Sequence, residues 1–131
     1  MAAEVTIRRR LEWMDTDAAG IWHHSTVIRW AEDAETELHR QLGIVSRTFG
    51  ATPRVNIDFN FGAPLRFDDE VDVTLVVASM GETSITYRVS VDRDGETLAA
   101  GKMVAVLIDA SSGAKKPWPD DMRRLLNPSE A

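Results

Sequence analysis

The chain has 131 residues, no cysteine and a formal net charge of −6. The lack of cysteine excludes disulfides, thiol nucleophiles and zinc–thiolate centres, and the acidic balance argues against a nucleic-acid-binding protein, since such proteins are usually basic. No apolar run is long enough to span a membrane, and the first residues lack the pattern of a secretory signal. We therefore expect one domain, residues 1–131, in the cytoplasm, with no nucleic-acid or membrane partner.

A strand followed by an acidic turn opens the chain. Alternating apolar side chains predict the strand from Val5 to Trp13. The turn that follows, residues 15–20, holds Asp15 and Asp17 ahead of the flexible Gly20. Carboxylates in turns commonly cap backbone N–H groups. Alternatively, one of them acts as a base or nucleophile on a carbonyl group held beside it.

A long amphipathic helix is predicted next, from about Ser25 to Leu42, with Ser25 as its N-cap and Gly43 as its end. The start of a helix presents unpaired N–H groups and a partial positive charge. These can bind an anion, or a carbonyl oxygen that becomes negative during a reaction. The acidic turn and the helix start together are therefore a candidate site.

Further strands and a short terminal helix follow. Residues 54–61 alternate so that Val55, Ile57, Phe59 and Phe61 are expected to face the long helix. Strands are also predicted over residues 70–79, 85–91 and 97–109, and a helix over residues 119–126. This order predicts an α+β fold in which one antiparallel sheet wraps around one long helix.

The dipeptide Asp94-Gly95 predicts a two-residue hairpin loop between the last two strands. Counting outward from that loop pairs Tyr87 with Lys102 and puts Lys102 on the apolar face of the sheet. There Lys102 either extends its ammonium group out of the core or lines a channel for a phosphorylated tail.

The segment Arg10 to His24, followed by Trp30 and Glu32, resembles the hotdog-fold acyl-CoA thioesterases of the 4-hydroxybenzoyl-CoA thioesterase type. Those enzymes carry an Asp-x-Asp-x-x-Gly segment, aromatic or histidine residues and then a long central helix. The likeness continues over nearly the whole chain, through Asp109 and residues 116–119. It implies hydrolysis of an acyl- or aroyl-CoA thioester. We expect no cofactor and no metal. It also implies a homodimer with joined sheets and active sites at the subunit boundary, often paired into a homotetramer.

The resemblance implies a role for three residues of the turn and the helix start. It maps the catalytic carboxylate onto Asp17, either as a nucleophile or as a general base that activates water. It maps the oxyanion contact onto the backbone N–H near His24, and Gly20 would let the chain turn closely there. Asp15 is expected to hold the turn.

Four further residues are candidates for contact with the substrate. Trp22 is a candidate wall of the acyl pocket, unless it belongs to the core. His23 can orient water or substrate. Glu32 can contact the acyl group or water, unless it is a solvated acid on the polar helix face. Lys102 is the candidate for contact with a phosphorylated tail.

Several alternatives stay open. A metal site at His23 and His24 with Asp15 or Asp17 is disfavoured, because adjacent residues rarely converge on one ion. A serine hydrolase is poorly supported, since there is no Gly-x-Ser-x-Gly elbow. The turn at residues 80–84 lacks a basic cluster for the coenzyme A nucleotide, so an acyl carrier protein is an alternative donor. A hotdog hydratase or dehydratase and a non-catalytic acyl-binding protein are the competing functions.

Overall fold

A computed structural model describes residues 2–128. One antiparallel sheet contains all five strands, and a long helix, α1 (His24–Leu42), packs on its inner face. The strands are β1 (Glu4–Arg10), β2 (Arg54–Phe61), β3 (Glu70–Met80), β4 (Ser84–Arg93) and β5 (Glu96–Val106). Their order in the sheet is β1-β3-β4-β5-β2, so β1 and β2 form its edges. The predicted α+β architecture is confirmed.

Helix α1 buries one side against the sheet, as its apolar spacing predicts. It ends at Gly43, which adopts the left-handed conformation with φ 73°. The prediction that Ser25 is the N-cap is wrong. His23 caps the helix instead, because its ring nitrogen Nδ1 accepts a hydrogen bond from the backbone N–H of Ser25 at 3.1 Å.

Two short helices complete the fold: α2 (Val45–Thr48) directly follows α1, and α3 (Asp120–Leu126) confirms the predicted terminal helix. No helix within residues 2–128 combines the length and the apolar composition needed to cross a membrane.

Strand β1 ends at Arg10, three residues earlier than the alternating pattern predicts. The chain then forms a 3₁₀ turn over Trp13–Asp15. Glu12 and Asp15 close this turn: the N–H of Asp15 donates to the carbonyl oxygen of Glu12, and the N–H of Glu12 donates to the carboxylate of Asp15, each at 3.0 Å. These local bonds compete with the sheet and leave Trp13 81% exposed.

The hairpin at Asp94-Gly95 forms as predicted, with φ 50° and 82° at its two residues. A bulge between Val91 and Asp92 then shifts the register. An extra residue moves every following side chain to the other face. Tyr87 therefore pairs with Met103, and the prediction that Lys102 faces Tyr87 from the apolar side is wrong.

The edge strand β2 also carries a bulge, between Arg54 and Asn56. It lets the side chain of Arg54 turn inward to α1, where it meets Glu35. The prediction that the apolar side of β2 packs on the helix is right only in part. Phe59 packs against the core, but three residues stay exposed because no strand lies beyond β2: Val55 at 58%, Ile57 at 41% and Phe61 at 45%.

Candidate active site

The acidic turn forms a small hairpin that leads directly into α1. The N–H of Asp17 donates to the carbonyl oxygen of Ile21 at 2.8 Å, and the N–H of His23 donates to that of Asp15 at 2.7 Å. Thr16 and Trp22 pair between these bonds. Gly20, with φ 78°, closes the hairpin by donating to the carbonyl oxygen of Asp17 at 3.0 Å. The structure therefore brings the predicted Asp17, Gly20, Trp22, His23 and His24 together.

The carboxylate of Asp17 is half-buried. Its Oδ1 accepts a hydrogen bond from the N–H of Ala19 at 2.8 Å, which fixes the orientation of the group within the turn. The second oxygen, Oδ2, has no hydrogen-bond partner among residues 2–128. One carboxylate oxygen is therefore held by the protein and the other can meet a water molecule or a reacting carbon.

Three of the backbone N–H groups at the start of α1 have a hydrogen-bond acceptor. The N–H of His23 donates to the carbonyl oxygen of Asp15, and the N–H of Thr26 donates to the carbonyl oxygen of His23. The N–H of Ser25 donates to the ring of His23. The N–H of His24 has no acceptor within the part of the chain that the structure describes. The unsatisfied donor of the first helical turn is thus at the residue that the sequence analysis assigned to the oxyanion contact.

Aromatic rings surround this helix start. The rings of His23 and His24 lie 4.1 Å apart. Because Nδ1 of His23 accepts from the N–H of Ser25, the proton of the neutral ring lies on Nε2. The ring of Trp22 is 5% exposed and packs between Trp30 and Phe61, with centroid distances of 6.1 and 5.6 Å. Trp22 therefore supports the helix start from the core side.

Glu32 lies apart from the turn, eight residues beyond His24 and thus about 12 Å along the helix. Its Oε2 accepts from Nε of Arg54 at 3.2 Å. The guanidinium of Arg54 also binds both oxygens of Glu35. This ion network forms one wall of a cleft of about 500 Å³ between α1, α2 and the start of β2. Glu32 is therefore neither at the turn nor a simple solvated acid.

A buried histidine stands behind this cleft. His39 is 4% exposed, and its two ring nitrogens lie 2.7 Å from Oγ1 of Thr48 and 2.9 Å from the hydroxyl of Tyr87. These two contacts hold the ring between α2 and β4. Burial, with a smaller effect of Arg54, lowers the pKa of His39 from 6.5 to about 4.

Burial also raises the pKa of Glu35 above its ordinary value, although the cation of Arg54 opposes the shift. Neither Glu35 nor His39 was a predicted site residue. Both fall within the three-to-four spacing of the buried helix stripe, beside Ala31, Ala34 and Leu38. A titratable residue at such a position was the signal that could have identified them.

Lys102 lies on the outer face of the sheet, opposite Arg88 on β4 and Asp58 on β2. These side chains border a hollow of about 370 Å³, whereas α1 packs on the inner face. A contact between Lys102 and a phosphorylated tail stays a prediction. Within residues 2–128, no three His, Asp or Glu side chains are grouped as metal ligands.

Comparison with known proteins identifies the family. The family model of the thioesterase-like superfamily matches residues 11–126. The chain belongs to the thioesterase-like superfamily. The family predicted from the sequence, and with it the class of thioester hydrolases, is confirmed.

Individual relatives of this thioesterase-like chain span its length. A 1,4-dihydroxy-2-naphthoyl-CoA hydrolase of Prochlorococcus marinus is 27% identical over 135 residues, which cover 94% of this chain and 87% of the relative. A solved gentisyl-coenzyme A thioesterase superposes with a TM-score of 0.84 at 25% identity, over 93% of this chain and 99% of that one. A predicted thioesterase from Bacillus stearothermophilus superposes with a TM-score of 0.86 at 23% identity, over 96% of both chains. The hotdog fold is thereby confirmed.

Proposed function

We propose that the chain hydrolyses acyl- or aroyl-CoA thioesters, with Asp17 as the catalytic carboxylate and the backbone N–H of His24 as the oxyanion donor. The observation that carries this proposal is the free N–H of His24 at the start of α1, next to the hairpin that holds Asp17. The names of two relatives, a dihydroxynaphthoyl-CoA hydrolase and a gentisyl-coenzyme A thioesterase, favour an aroyl group.

The reaction follows from these groups. The thioester carbonyl oxygen accepts a hydrogen bond from the N–H of His24, and the helix dipole stabilises its negative charge as the carbonyl carbon is attacked. As a general base, Asp17 removes a proton from water; the resulting hydroxide attacks, and coenzyme A leaves as the thiol after taking that proton. As a nucleophile, Asp17 forms an anhydride and expels the thiolate, and water then cleaves the anhydride. His23 would border the acyl group in either route, with the ring of Trp22 behind the helix start on the core side.

We further propose that the active form is a homodimer or homotetramer in which a second copy covers β2. Support comes from the exposed apolar side chains of Val55, Ile57 and Phe61 on an edge strand. The start of β2 lies at the cleft, through Arg54, and its end lies at the turn, through the contact of Phe61 with Trp22.

Within a single copy these two ends of β2 are about 25 Å apart, and Glu32 lies about 12 Å along α1 from His24, at the cleft. Antiparallel pairing of two β2 strands about a two-fold axis would put the start of one strand beside the end of the other. The cleft of one copy, with Glu32, would then face the acidic turn of its partner. In this arrangement Glu32 contacts the acyl group across the subunit boundary.

The test is thiol release from a panel of acyl- and aroyl-CoA esters by the wild type, Asp17→Asn and Asp94→Asn. Asp94 is exposed in the hairpin loop between β4 and β5 and serves as a control for the loss of one carboxylate. We expect Asp17→Asn to lower kcat/KM at least a hundredfold, or about 2.7 kcal/mol in barrier height, and Asp94→Asn to match the wild type. Equal rates for the two variants would refute the role of Asp17.

The same assay, extended to acyl groups attached to an acyl carrier protein, tests which thiol carries the acyl group of the substrate. Release from coenzyme A esters supports the proposed substrate class. If thiol is released only when the acyl group is attached to an acyl carrier protein, the carrier protein replaces coenzyme A in the proposal. No release from either donor by the wild type would refute the enzymatic function.

A further inference from the structure

Arg29 lies just over one helical turn into α1, and its side chain reaches back to Asp15 in the acidic turn. Its Nη2 donates to Oδ1 of Asp15 at 2.5 Å. Its Nη1 donates to the hydroxyl of Ser25 at 3.1 Å, and Nη2 lies 3.3 Å from Oγ1 of Thr26. One guanidinium group therefore joins the first turn of the helix to the turn that precedes it.

Asp15 is the point at which three segments meet. Its side chain is 10% exposed, and the carboxylate oxygen not bound to Arg29 accepts from the N–H of Glu12 at 3.0 Å. Its carbonyl oxygen accepts from the N–H of His23 at 2.7 Å and from the hydroxyl of Thr26 at 3.0 Å. The 3₁₀ turn, the hairpin and the helix start are thus fastened to one residue, two positions before Asp17.

The network continues to the helix cap. The hydroxyl of Ser25, which Arg29 binds, lies 2.7 Å from Nδ1 of His23. His23 is adjacent to His24, whose N–H is free. Arg29 therefore touches both sides of the proposed site: through Asp15 the hairpin that carries Asp17, and through Ser25 the cap next to the oxyanion donor.

We propose that Arg29 is a positioning residue, which sets the location of the Asp17 carboxylate relative to the N–H of His24. This inference rests on the proposed function. The nearly buried carboxylate of Asp15 is stabilised by the cation of Arg29. Without that cation the charged group would move towards solvent, because an unpaired buried charge is unfavourable. Without Arg29 the hairpin shifts with Asp15, and displacements of about 1 Å at a reacting group cost up to a hundredfold in rate.

The experiment compares Arg29→Gln and Arg29→Lys with the wild type, using Arg40→Gln as the matched control. Arg40 is exposed on the same helix, and no ion-pair partner lies near it within residues 2–128. We expect Arg29→Gln to lower kcat ten- to a hundredfold with KM within about twofold of the wild type. Arg29→Lys restores the charge beside Asp15 and should recover a large part of kcat even if Arg29→Gln folds poorly.

A substrate without phosphates distinguishes the positioning role of Arg29 from a direct contact between Arg29 and coenzyme A. With an acyl thioester of N-acetylcysteamine, which lacks the phosphates of coenzyme A, the loss of kcat in Arg29→Gln should persist. A loss that vanishes with this substrate, or a rise in KM alone, would overturn the inference in favour of a phosphate contact. A folded Arg29→Gln variant with the kcat of Arg40→Gln would also overturn it.

Asp17→Asn, measured in the same series, keeps the two proposals distinguishable. If Asp17→Asn is inactive while both Arg29 variants match the control, the positioning role of Arg29 fails and the proposed function stands. If Asp17→Asn keeps the wild-type rate, the proposed role of Asp17 fails, and the positioning role of Arg29 fails with it.

Discussion

The ring of Phe61 meets the ring of Trp22 edge-on, with centroids 5.6 Å apart and planes at 83°. Phe61 ends the edge strand β2, and Trp22 immediately precedes the cap of α1. The contact joins the uncovered edge of the sheet to the helix start. Any partner that covers the end of β2 would therefore contact Phe61, whose ring packs on the Trp22 ring behind the candidate active site.

A charged substitution at Ile57 should prevent the association of two copies without unfolding the single chain. Ile57 is 41% exposed on the inner side of β2, so a charge there is tolerated by the single chain and buried by a second copy. We expect Ile57→Asp to be a folded monomer by light scattering and to lose activity. Gln41→Glu adds the same charge at an exposed position near the end of α1, away from β2, and should leave mass and activity unchanged. An active Ile57→Asp monomer would contradict the shared site.

A glycine pair tests the hairpin. Gly20 and Gly113 both have φ 78°, and a Cβ atom at either position would meet nothing within 4 Å. Gly20→Ala and Gly113→Ala should therefore each lower the free energy of unfolding by about 1 kcal/mol, through backbone strain alone. Only Gly20→Ala should also lower kcat, because the strain acts on the turn that holds Asp17. Urea denaturation and thiol release measure the two effects, and equal kcat values would exclude a role for the conformation of Gly20.

His39 should make stability depend on pH. Its pKa is about 4 in the folded chain and 6.5 ordinarily, so the unfolded chain binds the proton more tightly. The free energy of unfolding should therefore fall as pH drops from 6.5 to 4, by up to about 3 kcal/mol. The raised pKa of Glu35 acts in the opposite direction, so the quantity to compare is the difference between the wild type and His39→Gln. That difference should shrink towards pH 4, and a difference independent of pH would contradict the neutral, buried histidine.

The ion pair between Arg54 and Glu35 should show its cost when only one partner is removed. Glu35 is 5% exposed, so Arg54→Leu leaves a buried carboxylate without its cation. We expect the variant to lose about 3 kcal/mol of stability. The double variant Arg54→Leu with Glu35→Gln should recover a large part of this loss in urea denaturation. If the double variant instead loses the sum of the stabilities lost by Arg54→Leu alone and by Glu35→Gln alone, the two residues are not coupled.

Local signals explain which elements could be predicted. The spacing of apolar residues defined α1, Gly43 its end, and Asp94-Gly95 the loop of the hairpin, because each depends on neighbouring residues alone. The two bulges, after Val91 and after Arg54, depend on how whole strands fit together. No nearby residue marks them, so the face of Lys102 and the inward turn of Arg54 were not predictable.

The candidate site divides in the same way. The segment from Asp17 to His24 is continuous in sequence, and its grouping was predicted. The capping of α1 by His23 was not, because Ser25 is the commoner cap and the ring of histidine rarely takes this role. The ion pair between Arg29 and Asp15 joins residues fourteen positions apart. It forms only because the acidic turn folds against the helix, so the sequence alone did not predict it.

The uncovered strand β2 has a consequence for the life of the newly made chain. Its free backbone groups and apolar side chains are a template for any extended segment that is exposed on another chain. In the proposed two-fold pairing, the free side of β2 in each copy is occupied by β2 of the other copy. If the proposed dimer is the active form, one association step would cover the edge that invites aggregation and complete the catalytic machinery.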